Sequence, residues 1–135
     1  MTTIGFVIDG EAVAQGRPRF GKGRAYDPTK SRDYKQYVRL VASQHKPAKP
    51  FEGQIALKVR VYKPIPKSMS KKLREEAIKG TIQPVTRPDV DNYVKGIKDG
   101  MNSVIWNDDS QVVELTVSKW YSENPRVEVE VTEKG

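Results

Sequence analysis

The stretch from Arg87 to Val112 constrains this chain most. It carries five of the eight aspartates of a protein whose formal net charge is +7, on a pattern that reads as loop, helix, turn. Pro88 fixes its own backbone and biases Arg87 towards an extended conformation. Beyond it, Val90, Val94, Ile97, Met101 and Val104, with Tyr93 beside them, recur three and four residues apart, which is the spacing of one helix face. Asp91 or Asn92 is the expected N-cap, and the helix is expected to end near Asn102-Ser103. On its other face Asp91, Lys95 and Asp99 step by four along one stripe. An apolar run, Val104-Ile105-Trp106, leads into a turn, Asn107-Asp108-Asp109-Ser110, and Gln111 opens an alternating segment.

Two readings of these carboxylates stand side by side. Asp89, Asp91 and the Asp108-Asp109 pair fall at the ends of short elements, where hard-cation ligands can converge. Lys95, one turn beyond Asp91, would then offer positive charge to a phosphate or a developing oxyanion. The structural reading makes Asp-x-Asp a helix cap and Asn-Asp-Asp-Ser a turn between strands.

The ordered set R-P-D-V-D-N-Y-V-K, D-G-M-N and V-I-W-N-D-D-S-Q-V resembles the signature of RusA-type Holliday junction resolvases, the crossover junction endodeoxyribonucleases. Gly16-Arg17-Pro18-Arg19-Phe20 near the start resembles a basic run of the same family. The resemblance implies that Asp89, Asp91 and Asp109 are metal-binding carboxylates, with Asp108 an alternative, and that Lys95 is the essential lysine. Asp99 matches an acidic position, as a solvated helix residue or a Lys95 partner. It further implies one or two Mg²⁺ ions per site, a DNA four-way junction as substrate, and a homodimer. Two matched nicks need two related sites, which a C2 pair supplies.

Charge is divided along the chain: residues 1–80 balance at +11 and residues 81–135 at −4. A basic half joined to an acidic half suits a nucleic-acid grip beside a metal site. The densest cations lie in the glycine-punctuated loop 16–24, where Arg17, Arg19, Lys22 and Arg24 surround Phe20. These four and Arg87 are the candidate phosphate contacts, arginine being the better bidentate partner. The chain has no cysteine and one histidine, His45, which excludes disulfides, thiolate sites and a multi-histidine zinc site. No apolar run nears membrane-span length and no signal-peptide pattern opens the chain. The expected place is the cytoplasm, on nucleoid-associated DNA.

The remaining elements follow from periodicity. Thr3–Ile8 reads as a strand, with Glu11–Gln15 as a second, short one. Arg32–Gln44 reads as a helix with Tyr34, Tyr37, Val38 and Val41 as its apolar stripe. Gln54–Tyr62 is the clearest strand, Ile55, Leu57, Val59 and Val61 alternating with Lys58 and Arg60. Lys71–Lys79 reads as a charged helix stopped by Gly80, with Leu73, Ala77 and Ile78 as its buried edge. Val113–Ser118 and Val127–Thr132 alternate on either side of Glu123-Asn124-Pro125 and read as a hairpin. The expected fold is α+β: one domain over 1–135, with a four- or five-stranded mixed or antiparallel sheet and about three helices on one face. The expected activity is Mg²⁺-dependent endonucleolytic resolution of four-way junctions in recombination and repair. The alternatives are a non-catalytic junction-binding protein and a less selective nuclease on branched DNA.

Overall fold

The computed structural model describes residues 1–15 and 28–135. In chain order these form β1 (Thr2–Asp9), α1 (Pro28–His45), β2 (Ile55–Pro64), α2 (Lys71–Lys79), α3 (Val90–Met101), a 3₁₀ turn (Asp109–Gln111), β3 (Val112–Ser122) and β4 (Arg126–Glu133). The strands make one mixed sheet in the order β1-β4-β2-β3, with β2 and β3 parallel and the other pairings antiparallel. The fold is thus α+β with four strands and three helices.

The expected hairpin does not form. β3 and β4 follow one another in sequence, yet β2 lies between them. The link Glu123-Asn124-Pro125 therefore crosses the end of β2, a gap of about 10 Å at two strand spacings. Charge and burial account for this order. On β4, Glu128 and Glu130 stand in register with Arg60 and Lys58 of β2, so opposite charges face each other across the pair. On β3, the row that faces the helices contains Lys119, in register with Val61. A hairpin would move that lysine towards the middle of the sheet, whereas the edge lets its ammonium reach out of the core. The cost is visible as partial exposure of Val113 and Leu115.

The core forms where the inward rows of β1, β2 and β4 meet α1 and α3. Ile8, Ile55, Leu57, Val59, Val61, Val127 and Val131 are sealed against Val38 of α1 and Ile97 and Met101 of α3, with Trp106 closing one end. α1 and α3 pack closely. A Cβ on Gly100 would stand 2.7 Å from Val38 Cγ1 and 3.0 Å from the Lys35 carbonyl oxygen, so glycine sets the approach of the two helices. α2 contacts β3. The Trp120 ring lies against Gly80 at its C-terminal end. Only Ala77 of α2 is fully covered, Leu73 and Ile78 being about half exposed.

Three smaller expectations change. Glu11–Gln15 is not a strand; the Gln15 amide bonds instead to the Asn92 carbonyl at 3.0 Å, tying this segment to the start of α3. Asp89, not Asp91 or Asn92, takes the N-cap position of α3. Val90 is exposed, so the buried stripe begins at Tyr93. The Gly100→Ala variant should lose about 1–3 kcal/mol through overpacking, read as a lower urea midpoint; an unchanged midpoint would mean that the α1/α3 contact spreads without cost.

Candidate active site

The segment before α3 is held rather than free. Lys63 at the end of β2 donates through Nζ to the Arg87 carbonyl at 2.9 Å and to Thr86 Oγ1 at 3.3 Å. Lys119 of β3 donates to the Thr86 and Pro88 carbonyls at 2.9 and 3.1 Å. The Arg87–Pro88 bond is cis. Immediately afterwards Asp89 caps α3 with extended backbone angles but makes no side-chain capping hydrogen bond. Asp91 lies in the first turn. Both carboxylates are exposed and neither joins an ion pair among the described residues. They sit where the helix dipole favours negative charge. Lys95 is exposed one turn on. Tyr93, on the opposite face, is buried; burial first and then the Glu11 charge push its phenol up to about 12, so it stays neutral.

The second acidic cluster is built differently. Asp108 caps the 3₁₀ turn, accepting from the Ser110 hydroxyl and from the Ser110 amide at 2.9 Å. Those two bonds, the hydroxyl's first, hold its carboxyl below the usual aspartate range. Asp109 accepts the indole N–H of the fully buried Trp106 through Oδ1 at 2.8 Å. Gln111 fastens the turn: its amide nitrogen donates to the Phe51 and Gly53 carbonyls at 2.8 and 3.0 Å. Its amide oxygen accepts from the Asp108 backbone at 2.8 Å. The turn is rigid because every bond-forming atom of that one amide is used.

Asp89 caps α3 and Asp91 follows two residues on in its first turn, whereas Asp109 lies beyond the far end of the helix. The carboxylate pair stands at the N-terminal end of α3, and the Asp109 turn follows its C-terminal end. The helix has 12 residues, about 18 Å at the helical rise. The strands agree. Val112 pairs with Ile55 at the start of the β2/β3 ladder, while Lys119, which holds Pro88, lies about 23 Å further along β3. Among the described residues no three His, Cys, Asp or Glu side chains gather to hold one ion. Magnesium commonly takes one or two carboxylates, with water and substrate phosphate completing its shell. Asp89 and Asp91 fit that role by donor type and by their lack of partners among the described residues; Asp109 of the same chain lies beyond the other end of α3.

Of the other sequence-derived candidates, Asp99 pairs with Lys35 of α1 at 3.9 Å, not with Lys95. Arg87 is exposed beside Asp89. Arg17, Arg19, Lys22 and Arg24 lie outside the described residues, although Gln15, just before them, is bonded at Asn92. Four residues escaped notice in the sequence: Lys63, Lys119, Trp106 and Gln111. The lysines did carry a signal, since each interrupts an apolar alternation on the inward row of its strand. Gln111→Leu keeps the volume but strands two carbonyls and an amide. It should cost about 1–3 kcal/mol, measured by thermal or urea unfolding; a smaller loss would mean water replaces the amide.

Comparison with known proteins bears on this arrangement. The endodeoxyribonuclease RusA family matches residues 9–132. A Bacillus subtilis (strain 168) protein named uncharacterized protein YqaN is 56% identical over 139 residues, covering 98% of this chain and 98% of its own. A Lactococcus phage r1t protein named crossover junction endodeoxyribonuclease rusA is 32% identical over 117 residues, covering 84% of this chain and 80% of its own. With the family matched from β1 into β4 and both acidic clusters inside the match, the chain belongs to the RusA endodeoxyribonuclease family.

Proposed function

We propose that this protein is a Mg²⁺-dependent endonuclease that resolves four-way DNA junctions by paired symmetric nicks, working as a homodimer. The observation that carries the reading is the Asp89/Asp91 pair: two exposed carboxylates without partners among the described residues, at the positive end of α3, one turn from Lys95. Family membership and the printed activity of the phage relative support the same substrate.

The residues divide the work. Asp89 and Asp91 hold the divalent ion, which when bound supplies an activated water and neutralises charge at the scissile phosphate. Lys95 directs positive charge at the oxygen on which negative charge develops. Arg87 and the 16–24 loop, with Arg17, Arg19, Lys22 and Arg24, grip flanking phosphates. Asp109, held by Trp106 in the turn beyond the far end of α3, is too distant to serve the same ion within one chain. In a C2 dimer with the two α3 helices antiparallel, each chain's Asp89/Asp91 pair would meet the other chain's Asp109. Symmetry thus supports two complete sites as well as two nicks.

Complementation tests this. Asp91→Asn and Asp109→Asn should each abolish nicking of a labelled junction in Mg²⁺ while leaving junction binding intact. Equal mixtures, exchanged to equilibrium, should regain about a quarter of the wild-type sites, because half the dimers are mixed and each rebuilds one site. Their product should be single nicks rather than paired ones. Silence of the mixture would mean that each site belongs to one chain. Tight junction binding by the wild type with no nicks in Mg²⁺ or Mn²⁺ would make the protein a passive junction binder.

A further inference from the structure

Lys63 and Lys119 pose an electrostatic question that the proposed chemistry leaves open. Each ends or interrupts an apolar inward row, on adjacent parallel strands. Val61 stands in register with Lys119, and Lys63 with Tyr121, so the two side chains leave the same face of the sheet within one step of each other. Their ammonium groups then converge on a single short stretch, Thr86–Pro88. Neither makes an ion pair among the described residues. Partial burial, and then the Lys119 charge, pull the Lys63 ammonium below the ordinary lysine range, against the opposing field of Glu11.

Two like charges brought together against neutral carbonyls are unfavourable unless an anion shares the place. The carbonyl bonds orient the ammonium groups without cancelling their charge. Each group donates to two oxygens of the 86–88 segment and has three N–H donors in all. Fixed cations with spare donors and no ion pair among the described residues are preorganised for an anionic oxygen. The next residue after Pro88 is Asp89, so an anion here would lie directly beside the carboxylate pair.

We propose that Lys63 and Lys119 form a phosphate-binding clamp that receives a DNA backbone phosphate next to the one cleaved at Asp89/Asp91. The inference rests on the nuclease reading above and adds a contact from the sheet, separate from the 16–24 loop. The clamp also couples two tasks: the same ammonium groups that fix the Arg87–Pro88 backbone hold the strand whose next phosphate is cut.

Salt dependence of junction binding tests it without relying on cleavage. Binding of a fluorescent four-way junction is titrated in EDTA between about 50 and 200 mM salt, for the wild type and for Lys63→Met, Lys119→Met, Lys63→Gln, Lys119→Gln and the two Lys→Arg variants. Removing a phosphate contact should lower the slope of log affinity against log salt by about 0.9 and weaken binding uniformly across junction sequences. Each Met and Gln variant should therefore lose a measurable part of that slope, since the other lysine still faces the shared phosphate, and each Arg variant should keep the wild-type slope. Glutamine retains an N–H donor but no charge, so it reports on charge where methionine disturbs folding; thermal melts identify any variant that does not fold. Wild-type slopes in the folded neutral variants, with reduced nicking in Mg²⁺, would overturn the clamp and reduce both lysines to positioning the backbone. A wild type with no junction affinity would overturn the nuclease reading itself, and this inference with it.

Discussion

The central position of β2 is the constraint on which the rest depends. With β3 on one side and β4 on the other, Ile55, Leu57, Val59 and Val61 are sealed beneath α1 and α3. The burial of four branched side chains in one row contributes on the order of 1.5–3 kcal/mol each, and it dictates what the neighbours look like. β4 must present Glu128 and Glu130 to Arg60 and Lys58. β3 must be parallel to β2, and a parallel pair needs a long crossover. That crossover is everything from Ile65 to Gln111, and it carries both acidic clusters. The functional residues are thus distributed along a connection that the sheet requires for its own reasons.

Much of this was legible from residue spacing. The bounds of α2, the buried face of α3 from Tyr93 to Met101, and the alternating rows of β2 and β4 follow from local periodicity, because each element is decided by its own side chains. The order of the strands was not legible. Glu123-Asn124-Pro125 between two alternating runs is a sound local signal for a hairpin, and it is overridden by a partner 60 residues away in the chain. Cross-strand charge matching could have warned of this, since the lysine and arginine on β2 complement the glutamates on β4, whereas β3 has its own glutamate, Glu114. The candidate residues stand out in the sequence, but the distance between the two acidic clusters does not. Asp-x-Asp and Asp-Asp are recognisable motifs, but the helix between them fixes their separation and must be given its full length before the distance is felt.

The two acidic clusters are made for different physical tasks. At Asp89 the expected capping bond is absent, and the carboxylate stays available although a helix N-terminus offers several amides. At Asp108 the opposite holds: one carboxylate oxygen caps its turn through the Ser110 amide and hydroxyl. Asp109 gives one oxygen to Trp106 and is aimed by a side chain that cannot move without opening the core. The buried indole sets the direction of a partly exposed carboxylate, which is the kind of support a precisely placed ligand needs.

Near Asp89 the protein keeps opposite charges from cancelling. Lys63 and Lys119 are within reach of backbone oxygens at Thr86, Arg87 and Pro88, yet neither turns to the aspartates that follow. Had they done so, the resulting ion pairs would have been worth little at a surface, and the carboxylates would be lost to a cation and the ammonium groups to an anion. Binding the carbonyls instead leaves both sets of charge without an ion pair among the described residues. On the function proposed above, a divalent cation and a substrate phosphate would bring the missing counter-charges together. Local disagreement with the usual pairing rules is expected where function is located, and in this chain it is concentrated at the junction of Pro88 and Asp89.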